Sequence, residues 1–293
     1  MTQMTYRYDG TFDGFLCCIF ESYVNREDPV IFHTPERGEL TLLPEREIVT
    51  DPDHARRVYA SFDHRISPTA RRLIEDGFLT CLEERERALL AFIRLGYAAG
   101  PAVTKRVGDD RVYRVLQAVR HLRNEAEKYR GFVRFSEFDG MLAGQIAPKN
   151  RVLPLIAPFF HARLAGEVFL LWDSTHREAL LHRPWQWRLL TDVDFAMTEP
   201  DERERAFRRL WTRFYDTVAI PERENPACQK GHMPKRYWAE LTELQAENRT
   251  PVSAAVPAAV PGPDAPSGRS VPAIRPVPGR SAPGSCPGNS AAE

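Results

Sequence analysis

GFVRFSEFDGMLAGQIAP, residues 131–148, is where the texture of the chain changes. Phe132, Arg134 and Ser136 alternate with Val133, Phe135 and Glu137, the two-residue period of a strand. Asp139–Gly140 comes next, a dipeptide that accepts the positive φ of a tight hairpin turn. NRVLPLIAPFFHARLAG (150–166) has the character of a helix, with Pro154 or Pro158 near its start or bending it. EVFLLWDSTHREALLH (167–182) is a second hairpin turning around 174–177. Strand, strand, helix, strand, strand gives a small antiparallel, hairpin-built sheet with helices packed on it.

Upstream the period is helical. YDGTFDGFLCCIFESYVN (8–25) sets Phe12, Phe15, Leu16, Ile19, Phe20 and Tyr23 on one stripe, with Asp9 or Thr11 placed to cap it. Two short strands are expected at VIF (30–32) and REIVTD (46–51). Helices are then expected at 51–65, from Ser67 with Pro68 in its first position, at 83–99 before Gly100, and from about Asp109 to Arg130. The last of these buries Val112, Val115, Leu116, Val119 and Leu122 and turns Arg111, Arg114, Arg123 and Lys128 outward. Downstream, 200–220 is a helix expected to bury Phe207, Leu210, Trp211, Phe214 and Val218, with its arginines and acids pairing on a solvated face. A final helix is expected at KRYWAELTEL. The fold class is therefore α+β, helix-rich in its first half. Residues 1–248 form one domain, divisible into a helical 1–130 and a sheet-bearing 131–248 that share a core. Residues 249–293, mostly Pro, Ala, Gly and Ser without an aromatic, are expected to be a disordered tail.

Composition narrows the function. Forty basic residues balance forty acidic ones, so any nucleic-acid face must be local. Only five of the forty are lysine, as a GC-rich genome or a demand for bidentate phosphate contacts would produce. With no apolar leader at the start and no membrane-length apolar run, a cytoplasmic protein with free thiols is expected and no membrane partner.

Cofactor motifs are missing. There is no phosphate-binding GxxxxGK[ST] and no GxGxxG. Cys228 and His232 stand at C-x3-H spacing, yet a structural zinc needs a second pair, and an iron–sulfur cluster needs more spaced cysteines than the chain offers. No cofactor and no metal are assigned. GMLAGQIAPKN (140–150) resembles the water-activating loop of uracil-DNA glycosylases, but its His-Pro-Ser companion is absent. Ser174 lies between Asp173 and His176 without a nucleophile elbow. His161, Asp173 and Arg177 are the candidate catalytic residues, brought together if the helix packs across the second hairpin; a structural bond from His161 to Asp173 or to backbone is the alternative.

RENPACQKGHMPKRYW (223–238) interleaves cations, amides and rings. Arg223, Lys230, His232, Lys235 and Arg236 suit phosphates, Asn225 suits base edges, and Tyr237 and Trp238 suit stacking on unpaired bases. Equally, the two rings can plug the core while the charges are solvated.

Four blocks in this order resemble a known family: YDGTFDGFLCCIFESY, RGFVRFSEFDG, APFFHARLAGEVFLLWDSTHREALL and RENPACQKGHMPKRYWAELTE. The resemblance runs from Tyr6 to Leu244. It is to a bacterial family assigned to DNA metabolism and DNA repair by association. That family accompanies a radical-SAM protein, and some members are fused to a uracil-DNA-glycosylase-like domain. Arg223, Asn225, Met233, Pro234, Tyr237, Trp238 and Asp173 match its pattern. The resemblance implies an accessory that binds DNA and a radical-SAM partner, the partner supplying the iron–sulfur chemistry. Two alternatives stand beside it: an enzyme acting on DNA through His161 and Asp173, and a structural adaptor that never touches DNA.

Overall fold

The structure, a computed structural model, describes residues 2–38, 40–138, 140–196 and 199–245. The tail expected at 249–293 lies outside them, as does Asp139. Two compact units divide the chain, one of Met1–Glu125 with Lys149–Val152, the other of Ala126–Pro148 with the chain from Leu153 onward.

The first unit contains a strand that the sequence pattern did not announce. Met4, Thr5 and Tyr6 are buried in succession, with Tyr8 after them, and β1 (Thr2–Arg7) is the middle strand of a three-stranded sheet. Its neighbours are β2 (Glu27–His33) and β3 (Glu45–Glu47), both parallel to it. Helix α1 (Phe12–Val24) makes the crossover from β1 to β2 that a parallel pair requires. Phe15, Leu16 and Ile19 of its stripe are buried, each burial worth about 2 kcal/mol. Tyr23, at the end of the stripe, is exposed.

Caps set the helix starts. Thr11 accepts from Gly14 N at 3.0 Å, and Asp9 in turn accepts from the Thr11 backbone and hydroxyl and from Thr50. Both residues proposed to cap α1 therefore serve it. Asp51 caps α2 (Pro52–Arg65), and Ser67, with Pro68 in the first turn, caps α3 (Pro68–Phe78). Helix α4 (Arg85–Ala99) stops at Gly100, whose φ of 62° few other residues adopt. Helix α5 (Asp110–Phe132) buries Val112, Val115, Val119 and Leu122 as its spacing requires. Burial pushes the thiols of Cys17 and Cys18 up, which keeps both protonated.

Gly14 is tied to this capping network. A Cβ there would stand 2.2 Å from Asp9 Oδ1 and 2.9 Å from the Tyr8 ring. Gly14→Ala should cost about 2 kcal/mol in urea unfolding, because Asp9 cannot yield without releasing Thr11 and Thr50. A midpoint equal to wild type would show that Asp9 is not fixed.

Residues 149–152 are gathered into the first unit by one carboxylate. Glu125, 3 % exposed, accepts from Lys149 N, Asn150 N and Asn150 Nδ2 at 3.1, 2.9 and 2.6 Å. Asn150 Oδ1 accepts from Cys81 N, and Arg151 N donates to Leu79 O. The stretch that resembled a glycosylase loop is thus a strand followed by a backbone-anchored connection.

The second unit is built on five strands in the order β4-β5-β6-β7-β8. They are β4 (Phe135–Phe138), β5 (Met141–Ile146), β6 (Phe169–Asp173), β7 (Glu178–Arg183) and β8 (Gln186–Leu190). The two expected hairpins are β4–β5 and β6–β7, antiparallel, and Gly140 holds the first turn at φ +77°. Between them the pairing of β5 with β6 is parallel, so the sheet is mixed rather than wholly antiparallel. The reason is α6 (Leu153–Arg163), a helical crossover that returns the chain in its original direction. Phe135, Phe160 and Phe169 pack edge to face, with centroids 5.5 to 6.5 Å apart. Strand β8 extends the sheet beyond the four strands anticipated.

Helix α7 (Glu202–Val218) corrects the expected packing. Its buried residues are Glu204 and Thr212, and Arg208 lies between them, whereas Phe207, Leu210, Trp211, Phe214 and Val218 are exposed. Arg208 reaches Ser136 Oγ at 2.6 Å and pairs with Glu204 at 2.9 Å, while Glu204 accepts from Glu137 N. The polar row faces β4 because its partners are there. After α7 come a short turn at Pro221–Arg223, helix α8 (Pro226–His232) and 3-10 turns at Lys235–Glu240 and Thr242–Leu244, the last two in place of the expected final helix.

Candidate functional site

Asn225 starts the segment that matters most. Its Oδ1 accepts from Cys228 N at 2.9 Å, and Pro226 occupies the first turn of α8, so local sequence fixes this short helix. Arg223, Asn225, Lys230, His232, Lys235 and Arg236 are all exposed. Among the described residues, Arg223, Lys230, His232 and Lys235 have no carboxylate partner. Lys235 Nζ instead lies 5.9 Å above the half-buried Trp238 ring, whose Nε1 donates to Met233 O at 2.9 Å. Cations and one partly accessible ring therefore occupy one continuous segment.

Tyr237 differs from its neighbours. It is 1 % exposed, with ring centroids of Tyr129 and Phe132 at 5.1 and 5.3 Å and the Arg236 guanidinium 4.6 Å over its face. Of the two rings offered for stacking on a base, this one is engaged inside the unit. It anchors the segment, and Arg236 is partly committed to it.

The anchor continues into Glu243. This carboxylate, 2 % exposed, receives Arg134 Nε and Nη2 at 3.2 and 2.7 Å and Trp211 Nε1 at 2.9 Å. Burial alone would raise its pKa. The Arg134 and Trp211 hydrogen bonds, with the Arg134 charge, outweigh that and hold it below the usual carboxylate range. Three residues earlier Glu240 has no such help, and burial pushes its carboxyl up to about 7.

The acid–base candidates separate into two pairs. Asp173, fully buried, accepts from Thr175 N and His176 N at 3.0 and 3.1 Å and binds His176 Nδ1 at 2.6 Å. Its partner is thus the histidine three residues on, and its backbone bonds close the β6–β7 turn. Arg177 completes that turn at φ +55°, its carbonyl accepting from Val193 N. His161 Nδ1 lies 2.9 Å from His182 Nε2, and His182 Nδ1 lies 2.9 Å from Glu167 O. A carbonyl only accepts, so His182 Nδ1 is the donor to Glu167 O, and in the neutral ring its Nε2 is then left to accept from His161. His182 pairs with Phe169 at one end of β6 and Asp173 with Glu178 at the other, four residues or about 13 Å apart. His161, on α6, therefore meets the sheet at the Phe169 end of β6 while Asp173 closes the other end, because the β6–β7 register separates their partners. Ser174 Oγ bonds Ile146 O. Among the described residues no three His, Cys, Asp or Glu side chains gather as a metal-ligand group.

A further exposed ring lies in LLHRPWQW (180–187), a region to which the sequence assigns no site. Trp185 caps the β7–β8 turn at φ +69°, 85 % exposed, with exposed Arg183 and Arg188 in the flanking strands. A bulky residue in the left-handed region is uncommon. The signal was RPWQWR itself, a basic-aromatic run around a proline turn.

A family described as a domain of unknown function, DUF4130, matches residues 83–243. No curated protein and no solved structure matches the chain. No described helix is long and apolar enough to cross a membrane.

Proposed function

The chain belongs to the DUF4130 family, matched over residues 83–243, and from the second unit we propose that it is a DNA-binding accessory of DNA repair or DNA metabolism. In this proposal the 223–238 segment contacts phosphates and holds DNA for a lesion-processing partner. By the resemblance of the four sequence blocks, that partner is a radical-SAM protein, in some relatives alongside a uracil-DNA-glycosylase-like domain. One observation carries the reading: Arg223, Lys230, His232 and Lys235 are exposed on one short segment without carboxylate partners among the described residues. Unpaired surface arginine and lysine side chains on a chain of zero formal charge are available to a polyanion, with His232 beside them as a further hydrogen-bonding group. Trp238 adds a half-buried ring, and Tyr237 supports the segment from beneath.

The alternative of an enzyme using His161 and Asp173 together loses support, since the two bond to different histidines.

Fluorescence anisotropy of the full chain with single-stranded, duplex and uracil-containing DNA across a salt series tests the proposal. Lys230→Ala with Lys235→Ala should weaken binding to all sequences alike and reduce the slope of log affinity against log salt by about two. Arg236 is left intact because it lies on Tyr237. Unchanged affinity in this double variant removes the segment from the interface. No binding at low salt sinks the DNA-binding function itself.

A further inference from the structure

Helix α7 turns its apolar row outward. Phe207, Leu210, Trp211, Phe214 and Val218 stand at i, i+3, i+4, i+7 and i+11, and each is 41 to 59 % exposed. Ile220, just past the end of the helix, is exposed as well, at 48 %. From Phe207 to Val218 the stripe is about 17 Å long, three turns of helix. Amphipathic helices bury such a stripe. Here a neighbouring row, Glu204, Arg208 and Thr212, is the one held against the unit, and Trp211, seven residues on from Glu204, lies at the border between the two with its indole on Glu243, so the helix cannot roll over without breaking the Arg208–Ser136 and Trp211–Glu243 bonds.

Charge decides the occupant. Arg203 lies one turn before Phe207 on the same row, and Arg209 and Arg213 continue along its flank. All three are exposed and have no carboxylate partner among the described residues. We propose that the outward face of α7 docks an acidic amphipathic helix of another protein, its apolar row on Leu210, Trp211 and Phe214 and its carboxylates on the arginines. A second copy of this chain fits worse, since its own α7 brings both signs of charge, Glu202 and Asp216 among its arginines, where an acidic helix brings carboxylates alone. Residues 246–293 fit worse still: they hold four arginines against three acids, recurrent prolines, and no Leu, Met or aromatic residue. Nucleic acid leaves the aliphatic side chains of Leu210, Val218 and Ile220 unmatched. This surface is independent of the 223–238 segment, and its test involves no DNA.

The probe is a fluorescein-labelled designed helix of about five turns, leucine at i, i+3, i+4 and i+7 and glutamate on both flanks, beside a scrambled peptide of the same composition. Titration with the full-length protein should give saturable binding of the designed helix and not of the scramble. Leu210→Glu with Phe214→Glu, both exposed sites, should keep the circular dichroism of wild type and weaken binding roughly tenfold or more. Arg209→Glu with Arg213→Glu should weaken it too and flatten its salt dependence. No binding, equal binding of the scramble, or full affinity in the leucine–phenylalanine variant overturns the proposal. Self-association in sedimentation that this variant abolishes would give the face to a second copy instead. Co-sedimentation with phosphatidylcholine–phosphatidylglycerol vesicles, lost in the same variant, would give it to a lipid surface. Either result displaces the acidic helix.

Discussion

Glu125→Ala should destabilise the first unit by about 3 kcal/mol, one of the two largest effects expected from a single change. The substitution leaves Lys149 N, Asn150 N and Asn150 Nδ2 without their acceptor at a site 3 % exposed. Unsatisfied buried donors are what make the loss large. Asn150 also receives Cys81 N, so its displacement frees a further amide. Glu125→Gln keeps the shape but turns an NH2 toward N–H donors, and should recover less than half of the loss. Urea unfolding of the full chain followed by circular dichroism provides the measurement. A midpoint within error of wild type would mean that residues 149–152 are held by other contacts.

Glu243→Ala is the second, with an expected loss of about 3 kcal/mol from the second unit. It removes the acceptor of Arg134 Nε and Nη2 and of the Trp211 indole together, leaving Arg134 only the Gly131 and Val133 carbonyls on Nη1. Breaking a buried pair from one side is costlier than replacing both members. Arg134→Met with Glu243→Leu should therefore recover much of the loss. Failure of the double variant to exceed Glu243→Ala would assign the effect to packing rather than to the stranded charge.

Acid should reveal the same pair. The folded-state pKa of Glu243 lies below its ordinary 4.5, so its contribution is present above that value and is lost as pH falls through the folded one. Glu240 works in the opposite sense. Its pKa rises from 4.5 to about 7, so its contribution is complete below 4.5 and is lost as pH climbs through about 7. The second unit should gain stability from pH 8 down to about 5 and lose it below about 4. Glu240→Gln should flatten the upper limb alone.

The sequence by itself determined whatever rests on neighbours a few residues apart. Thr11, Asp51, Ser67 and Asn225 each cap a helix through a backbone N–H within three residues, so those starts could be placed from side-chain chemistry. The two hairpins, the buried stripe of α5 and Gly100 at the end of α4 are set by periodicity and turn residues in the same way. The candidate site was legible as a segment, since the cations of 223–238 are exposed.

Tertiary structure decided the rest. Which of the two adjacent rings, Tyr237 or Trp238, faces inward depends on Tyr129 and Phe132, more than a hundred positions earlier. The partner of Asp173 is its own turn histidine, because the register of β7 on β6 carries His182, and His161 with it, to the far end of the strand. Helix α7 shows the difference most plainly. Its spacing specified an amphipathic helix but not which face would be covered. That was settled by Ser136 and Glu137 on β4 and by Glu243, to which Arg208, Glu204 and Trp211 bond. Periodicity records which side chains share a face. Only long-range partners determine whether that face meets protein or solvent.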